Sequence, residues 1–302
     1  MIVGAGVLVL IACAKEPTAP TAGLVFTQVS AGTESCALTT IGAAYCWRNS
    51  LDSLSTQGTP EPVPGGPTFQ SLSAGADRAC GVRPGGAAYC WGKNRDGRLG
   101  TGAADTIPQP IPVPVAGGLF FTAVSVGGNL SCGVTTSGAA YCWGRNFSGG
   151  LGDGTTTTRA TPVRVAGGLT FSSVSAGGYH SCGVTTSGAA YCWGHNGVGQ
   201  LGIGDLDTIP HPIPVAVAGE LTFRSVSAGG GQTCGLTPGG ATYCWGENLI
   251  DLLGNRNRRT YSSRIPAAAM VGIEFVAVSV GGEHACGITR AGAVYCWGGY
   301  VS

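Results

Sequence analysis

Residues 131–144 read SCGVTTSGAAYCWG, and the same letters return at residues 181–194. Four looser copies surround them. Each copy places two cysteines ten positions apart around a Thr/Pro/Ala-Gly turn, with a tryptophan directly after the second: Cys36 with Cys46, Cys80 with Cys90, Cys132 with Cys142, Cys182 with Cys192, Cys234 with Cys244 and Cys286 with Cys296. β-branched and aromatic residues on both sides favour extended chain, and Thr136, Ser137 and Gly138 supply the reversal, with the glycine free to adopt the left-handed conformation that closes a short hairpin loop. Counting outward from that loop, Thr135 faces Ala139, Val134 faces Ala140, Gly133 faces Tyr141 and Cys132 faces Cys142. Alternation then puts Val134, Ala140 and the cysteine pair on one face and Tyr141 and Trp143 on the other, with Gly133 leaving room for the Tyr141 ring. Opposed residues have Cβ atoms about 4.5–5.5 Å apart, close to the ~3.5–4.5 Å a disulfide needs, so one disulfide per hairpin is expected. Buried free thiols are the alternative. Zinc fits less well, because structural sites usually space paired ligands about two to four residues apart.

Charged residues make up 10% of the 302 and glycine accounts for 54 of them. An ordinary globular chain carries about 25% charge and about 7% glycine, so this one is rich in turns and poor in helix formers. The net charge of +1 provides no field that would draw nucleic acid or an anionic membrane surface. Paired cysteines in this number point to folding in an oxidising compartment.

The thirteenth cysteine stands apart. Residues 2–12 form an apolar run too short to span a bilayer but suited to the hydrophobic region of a signal peptide, and it ends Leu10-Ile11-Ala12-Cys13. That ending resembles the lipobox of bacterial lipoproteins, which implies a signal peptide over 1–12 and a lipidated Cys13 that anchors the mature chain in the membrane. The other reading is a secretory signal with a chance cysteine. Residues 13–22 then form a short tether, and 23–302 hold the repeats.

The first cysteines of the pairs fall at 36, 80, 132, 182, 234 and 286. Periods of this size indicate arrays, solenoids or propellers. In the unit spanning 168–218, residues 169–176 read as a strand, 181–193 as the hairpin and 194–204 as a Gly-rich loop. Residues 209–217 are a Pro-interleaved run suited to an outer strand. Four short strands per unit make a propeller blade, and no segment sustains a helical period. The segment WGHNGVGQLGIG at 193–204, with VSAGGYH at 174–180, resembles the repeat of the regulator of chromosome condensation family, and its WGxNxxGxLG pattern recurs from Trp91 and Trp143. The resemblance implies an all-β propeller, typically seven-bladed and closed by pairing of the two chain ends. Six hairpins are present here, residues 48–58 replace the first Gly-rich loop, and the last unit stops before its Pro-rich strand. Residues 16–23 align with that missing strand, and 18–22 are expected to complete the last blade.

Catalysis needs converging acids, bases or nucleophiles. His180, His195, His211 and His284 are instead scattered over the units, and His180 and His284 occupy one repeated position. The glycines lack a GxxxxGK[ST] pattern and a following helix, and the Asp153-Gly154 pair has a counterpart only near Asp205, so neither cofactor nor metal is expected. No enzyme activity is expected either. What varies between units is surface: one ring of Glu34, Arg78, Leu130, His180, Gln232 and His284, and another of Arg48, Lys93, Arg145, His195 and Glu247. Isolated aromatics such as Phe147, Tyr179 and Tyr261 and the basic cluster Arg256, Arg258, Arg259 and Arg264 add to it. Such mixtures suit protein recognition. The candidate contacts are Glu34, Arg78, Tyr179, His180, Gln232, His284, Arg256, Arg258 and Arg259, on a scaffold that binds a protein partner, touches no nucleic acid and meets membrane only through its anchor in a bacterial envelope. Three other readings remain: a secreted inhibitor of an enzyme, since a β-lactamase inhibitor protein is similar in fold; guanine-nucleotide exchange, which the family's namesake implies; and a propeller lyase or hydrolase.

Overall fold

Alternation along each hairpin produces the register that the sequence implies. In the computed structural model, which describes residues 24–31, 34–48, 59–257 and 260–299, strands Leu130–Thr135 and Ala140–Gly144 pair antiparallel with Cys132 opposite Cys142, Gly133 opposite Tyr141 and Val134 opposite Ala140. Gly138 closes the turn at φ 82°, its amide donating to the Thr135 carbonyl. All six cysteine pairs are bonded within their own hairpins, as expected. Cys36 is joined to Cys46, Cys80 to Cys90, Cys132 to Cys142, Cys182 to Cys192, Cys234 to Cys244 and Cys286 to Cys296, with Cα atoms 4.0–4.1 Å apart. Cys244 is fully buried, while Cys46 in the first blade is only partly covered. The ring over the central glycine differs from expectation: Phe121 from the neighbouring strand fills the space over Gly133, and a Cβ there would lie 2.6 Å from its Cδ1. Phenylalanine stands over the matching glycine in other units as well, for example Phe171 over Gly183 and Phe223 over Gly235.

Each hairpin becomes the middle of a sheet. In the third blade the order is Phe121–Val126, Leu130–Thr135, Ala140–Gly144 and the outer Arg159–Arg164, all antiparallel. Blades of this plan span 26–62, 71–114, 121–164, 171–216 and 225–269, and a sixth sheet of three strands spans 275–297. The Pro-rich runs, such as Gln109–Pro114 and His211–Ala216, are the outer strands, where a missing backbone donor is tolerated. Helix among the described residues is confined to two single 3₁₀ turns, Arg95–Gly97 and Leu249–Asp251. The chain is therefore an all-β, six-bladed propeller with one disulfide in each blade. No helix among the described residues is long and apolar enough to cross a membrane.

The core lies between blades rather than within them. Cys80, Val82, Ala88, Cys90 and Leu99 of the second blade pack against Phe121, Val124, Val126 and Trp143 of the third. Trp143 Nε1 donates to the Arg98 carbonyl at 2.9 Å, and Trp193 and Trp245 repeat this bond to Gly150 and Gln200. Nearer the axis, a serine hydroxyl on each first strand accepts an amide from the next: Ser30 from Ala74, Ser73 from Val126, Ser125 from Ala176, Ser175 from Ala228 and Ser227 from Val280, all at 2.9–3.0 Å.

The sixth blade has no neighbour over its trailing face among the described residues. Val294 is 39% exposed, whereas Ala88, Ala140 and Ala190 at the same position are 2–5% exposed. The expected closing segment 18–22, the signal 1–12 and the Cys13 anchor lie outside the described residues, as do residues 49–58 of the first loop.

Candidate functional site

At one end of the propeller two sets of loops meet, and both are built on repeated backbone contacts. The turn between the first and second strands ends at Asp77, Asn129, Tyr179 or Gly231. Its last carbonyl accepts the amide of the residue that follows the Trp-Gly pair: Lys93, Arg145, His195 or Glu247, at 2.9–3.1 Å. Behind them sits a buried asparagine. Asn146 Oδ1 accepts the Leu151 amide at 2.9 Å while its Nδ2 donates to the Thr155 and Thr157 carbonyls, and Asn94, Asn196 and Asn248 hold their own loops in the same way. Each of these asparagines is at most 2% exposed. The Gly-rich loops are thus fixed from inside, and the signal for this was the Asn recurring at one spacing in the WGxN pattern.

Four residues of the first variable ring do not reach the surface. Arg78, His180 and Gln232 are each 0% exposed and Leu130 is 1% exposed, a correction to their reading as partner contacts. Each stands two residues before a cysteine and shares its face, so the next blade covers it. Arg78 donates to the Gly127, Gly128 and Leu130 carbonyls of the third blade at 2.8–3.2 Å. Burial, then the nearby Arg98 guanidinium, lowers its pKa to about 9 against the opposing pull of Asp77.

His180 Nε2 lies 2.8 Å from Thr233 Oγ1, whose own proton goes to the Gln200 carbonyl at 2.9 Å. The imidazole must therefore donate through Nε2, leaving Nδ1 an unprotonated, buried acceptor without a partner. Burial, reinforced by His195, pushes its pKa down to about 3. His284, at the same position on the sixth blade, is exposed among the described residues.

The remaining candidates divide. Tyr179 is 49% exposed, Phe147 62% and Tyr261 80%, and Arg256 is exposed with φ 59°. Arg258, Arg259 and the side chain of Glu34 lie outside the described residues. His195 is held by Gln200 at 2.8 Å and His211 by Asp207 at 3.1 Å, so the four histidines do not converge. Asp153 is engaged by Thr155 and, at 3.1 Å, by Arg159. Burial alone would raise its pKa, but these hydrogen bonds and the Arg159 charge outweigh it and hold the carboxyl below its usual range.

The repeat profiles described as regulator of chromosome condensation (RCC1) repeat match residues 69–98, 121–149, 171–200 and 275–299 in one version and 85–134, 137–184 and 187–236 in the other, together more than half of the chain. The chain belongs to the RCC1 repeat family. Solved structures of other chains share its fold. Yeast RCC1 (Prp20), crystallised bound to Kap60, is 20% identical with a TM-score of 0.77 over 90% of this chain and 69% of that one. Human WBSCR16 is likewise 20% identical with a TM-score of 0.77, over 87% and 71%. The CRINKLY ectodomain of the Arabidopsis thaliana receptor kinase ACR4 is 21% identical with a TM-score of 0.59, over 91% and 80%. No curated protein sequence matches it.

Proposed function

We propose that this RCC1-repeat chain is an exported, lipid-anchored scaffold of the bacterial cell envelope that binds a protein through the loop end of its propeller and performs no catalysis. The observation that carries the reading is the set of loops locked by buried asparagines, which present different side chains from unit to unit on one rigid frame. Rigid presentation lowers the ordering cost of binding, and exposed aromatic and Arg side chains supply most contact energy. Protein binding is also what the structural neighbours offer: Prp20 was crystallised bound to Kap60 and its binding to Gsp1p and histones was studied. Six disulfides suit an oxidising compartment. The anchor rests on the apolar run 2–12 followed by Cys13.

Affinity capture from envelope extracts with the full chain tests the contact face. A double variant, Phe147→Ala with Tyr179→Ala, should lose the captured protein while keeping its folded spectrum; equal capture by both would reject this face. Cys13→Ser should abolish lipid labelling and move the chain out of the membrane fraction. A wild-type chain that takes up no lipid would remove the anchor from the proposal.

A further inference from the structure

Units two and three differ at one informative pair of positions. Asp77 and Asn129 are equivalent, each at the end of its turn, and each accepts through its carbonyl the amide of the cation that follows the Trp-Gly pair, Lys93 or Arg145, at 3.0 Å. In unit two the turn supplies a carboxylate: Asp77 lies 3.9 Å from Lys93 Nζ and 3.8 Å from Arg98. In unit three the same place holds an amide, and Asn129 spends its donor on the Gly178 carbonyl of the next blade at 3.1 Å. Among the described residues, Arg145 has the Phe147 ring 4.7 Å from its guanidinium carbon and no carboxylate.

A cavity of about 80 Å³ opens there between the third and fourth blades, lined by Asn129, Arg145, Phe147, Ser148 and Tyr179 with the Gly178 backbone. No acidic residue lines it. The adjoining unit-two loops carry Lys93, Arg95 and Arg98 against Asp77, Asp96 and Asp105, so their own charges balance and leave the Arg145 cation as the charge beside the cavity. Stacking on Phe147 holds the guanidinium in place before anything binds, which suits it to a planar anion.

We propose that this cavity receives an aspartate or glutamate side chain from a protein partner, with its carboxylate on Arg145 and an adjoining apolar residue between Phe147 and Tyr179. The proposal rests on the scaffold reading above and names the chemistry of the partner's anchor. The carboxylate restores from outside the charge pair that Asp77 provides within unit two.

An array of peptides pairing Asp or Glu with an aromatic neighbour, beside the same peptides carrying Asn or Gln, tests it on the full disulfide-bonded chain. Acidic peptides should be retained over their amide forms. Arg145→Gln should weaken them roughly ten- to a hundredfold, as expected for loss of a charged hydrogen-bonded pair. Asn129→Asp, which deletes no cation, should weaken them comparably by satisfying Arg145 from within. Equal retention of acidic and amide peptides would overturn the proposal, as would wild-type binding that both variants leave unchanged. Preferential retention of a single-stranded oligonucleotide would overturn it too. If Phe147→Ala with Tyr179→Ala abolishes capture but Arg145→Gln and Asn129→Asp do not, the scaffold reading stands and the acidic anchor falls.

Discussion

A neutral imidazole sealed between two blades links the fold to pH. His180 stays unprotonated down to about pH 3 in the folded chain, whereas the unfolded chain takes up the proton near its ordinary value of about 6.5. Between these limits the unfolded state binds more protons, so stability falls as the solution is acidified through that window and is fully present above it. The size is on the order of 5 kcal/mol at the acid end. Gln232 shows that glutamine is accommodated at the equivalent place, fully buried. His180→Gln should therefore flatten the acid limb of denaturant stability between pH 3 and 6.5 with little change at neutral pH; an unaltered limb would contradict this account. The burial of His180 and Arg78 was legible in the sequence, since both stand in step with the cysteine two residues on. It was misread because variation between units looks the same whether a side chain faces solvent or wedges into a neighbouring blade.

Among the elements, the hairpin was readable because its turn and its paired cysteines fix the register together. What lay over the central glycine was not readable, because opposition across the hairpin suggests Tyr141 while the first strand brings in Phe121. Gly133→Ala should cost about 1–3 kcal/mol through overpacking against that ring, measured by equilibrium unfolding. Access to the disulfides should also differ by blade. Both cysteines of the Cys182 to Cys192 bond are 0% exposed, and those joining Cys234 to Cys244 are at most 1% exposed, while Cys286 and Cys296 are each partly exposed. Mild reduction followed by alkylation and peptide mapping should label Cys286 and Cys296 well before Cys182, Cys192, Cys234 and Cys244. Losing one such bond should cost roughly 2–3 kcal/mol. The serine ladder was invisible in sequence because each Ser occupies an alternating position indistinguishable from a solvent-facing one.

Across the whole molecule, cohesion depends on neighbours covering one another. The sixth blade, whose trailing face no described residue covers, should exchange its backbone amides faster than the third or fourth, where both faces are covered. Hydrogen exchange read peptide by peptide would show this, and equal protection throughout would mean that the face is covered in solution. The number of blades followed from counting hairpins. The loop end as a surface did not, because only the assembled ring shows which variable residues emerge: Lys93, Arg145 and Tyr179 come out, and Arg78, His180 and Gln232 stay in.

The seams joining blades are alike, since each uses a serine-to-amide bond near the axis and most add an indole beneath the preceding loop. A gene encoding interchangeable joints tolerates unequal recombination: excising or duplicating one whole unit leaves a junction of the same kind at the splice. Copy number can then drift between lineages without compensating substitutions elsewhere, and the letter-for-letter identity of residues 131–144 and 181–194 is what a recent duplication of that sort would leave behind.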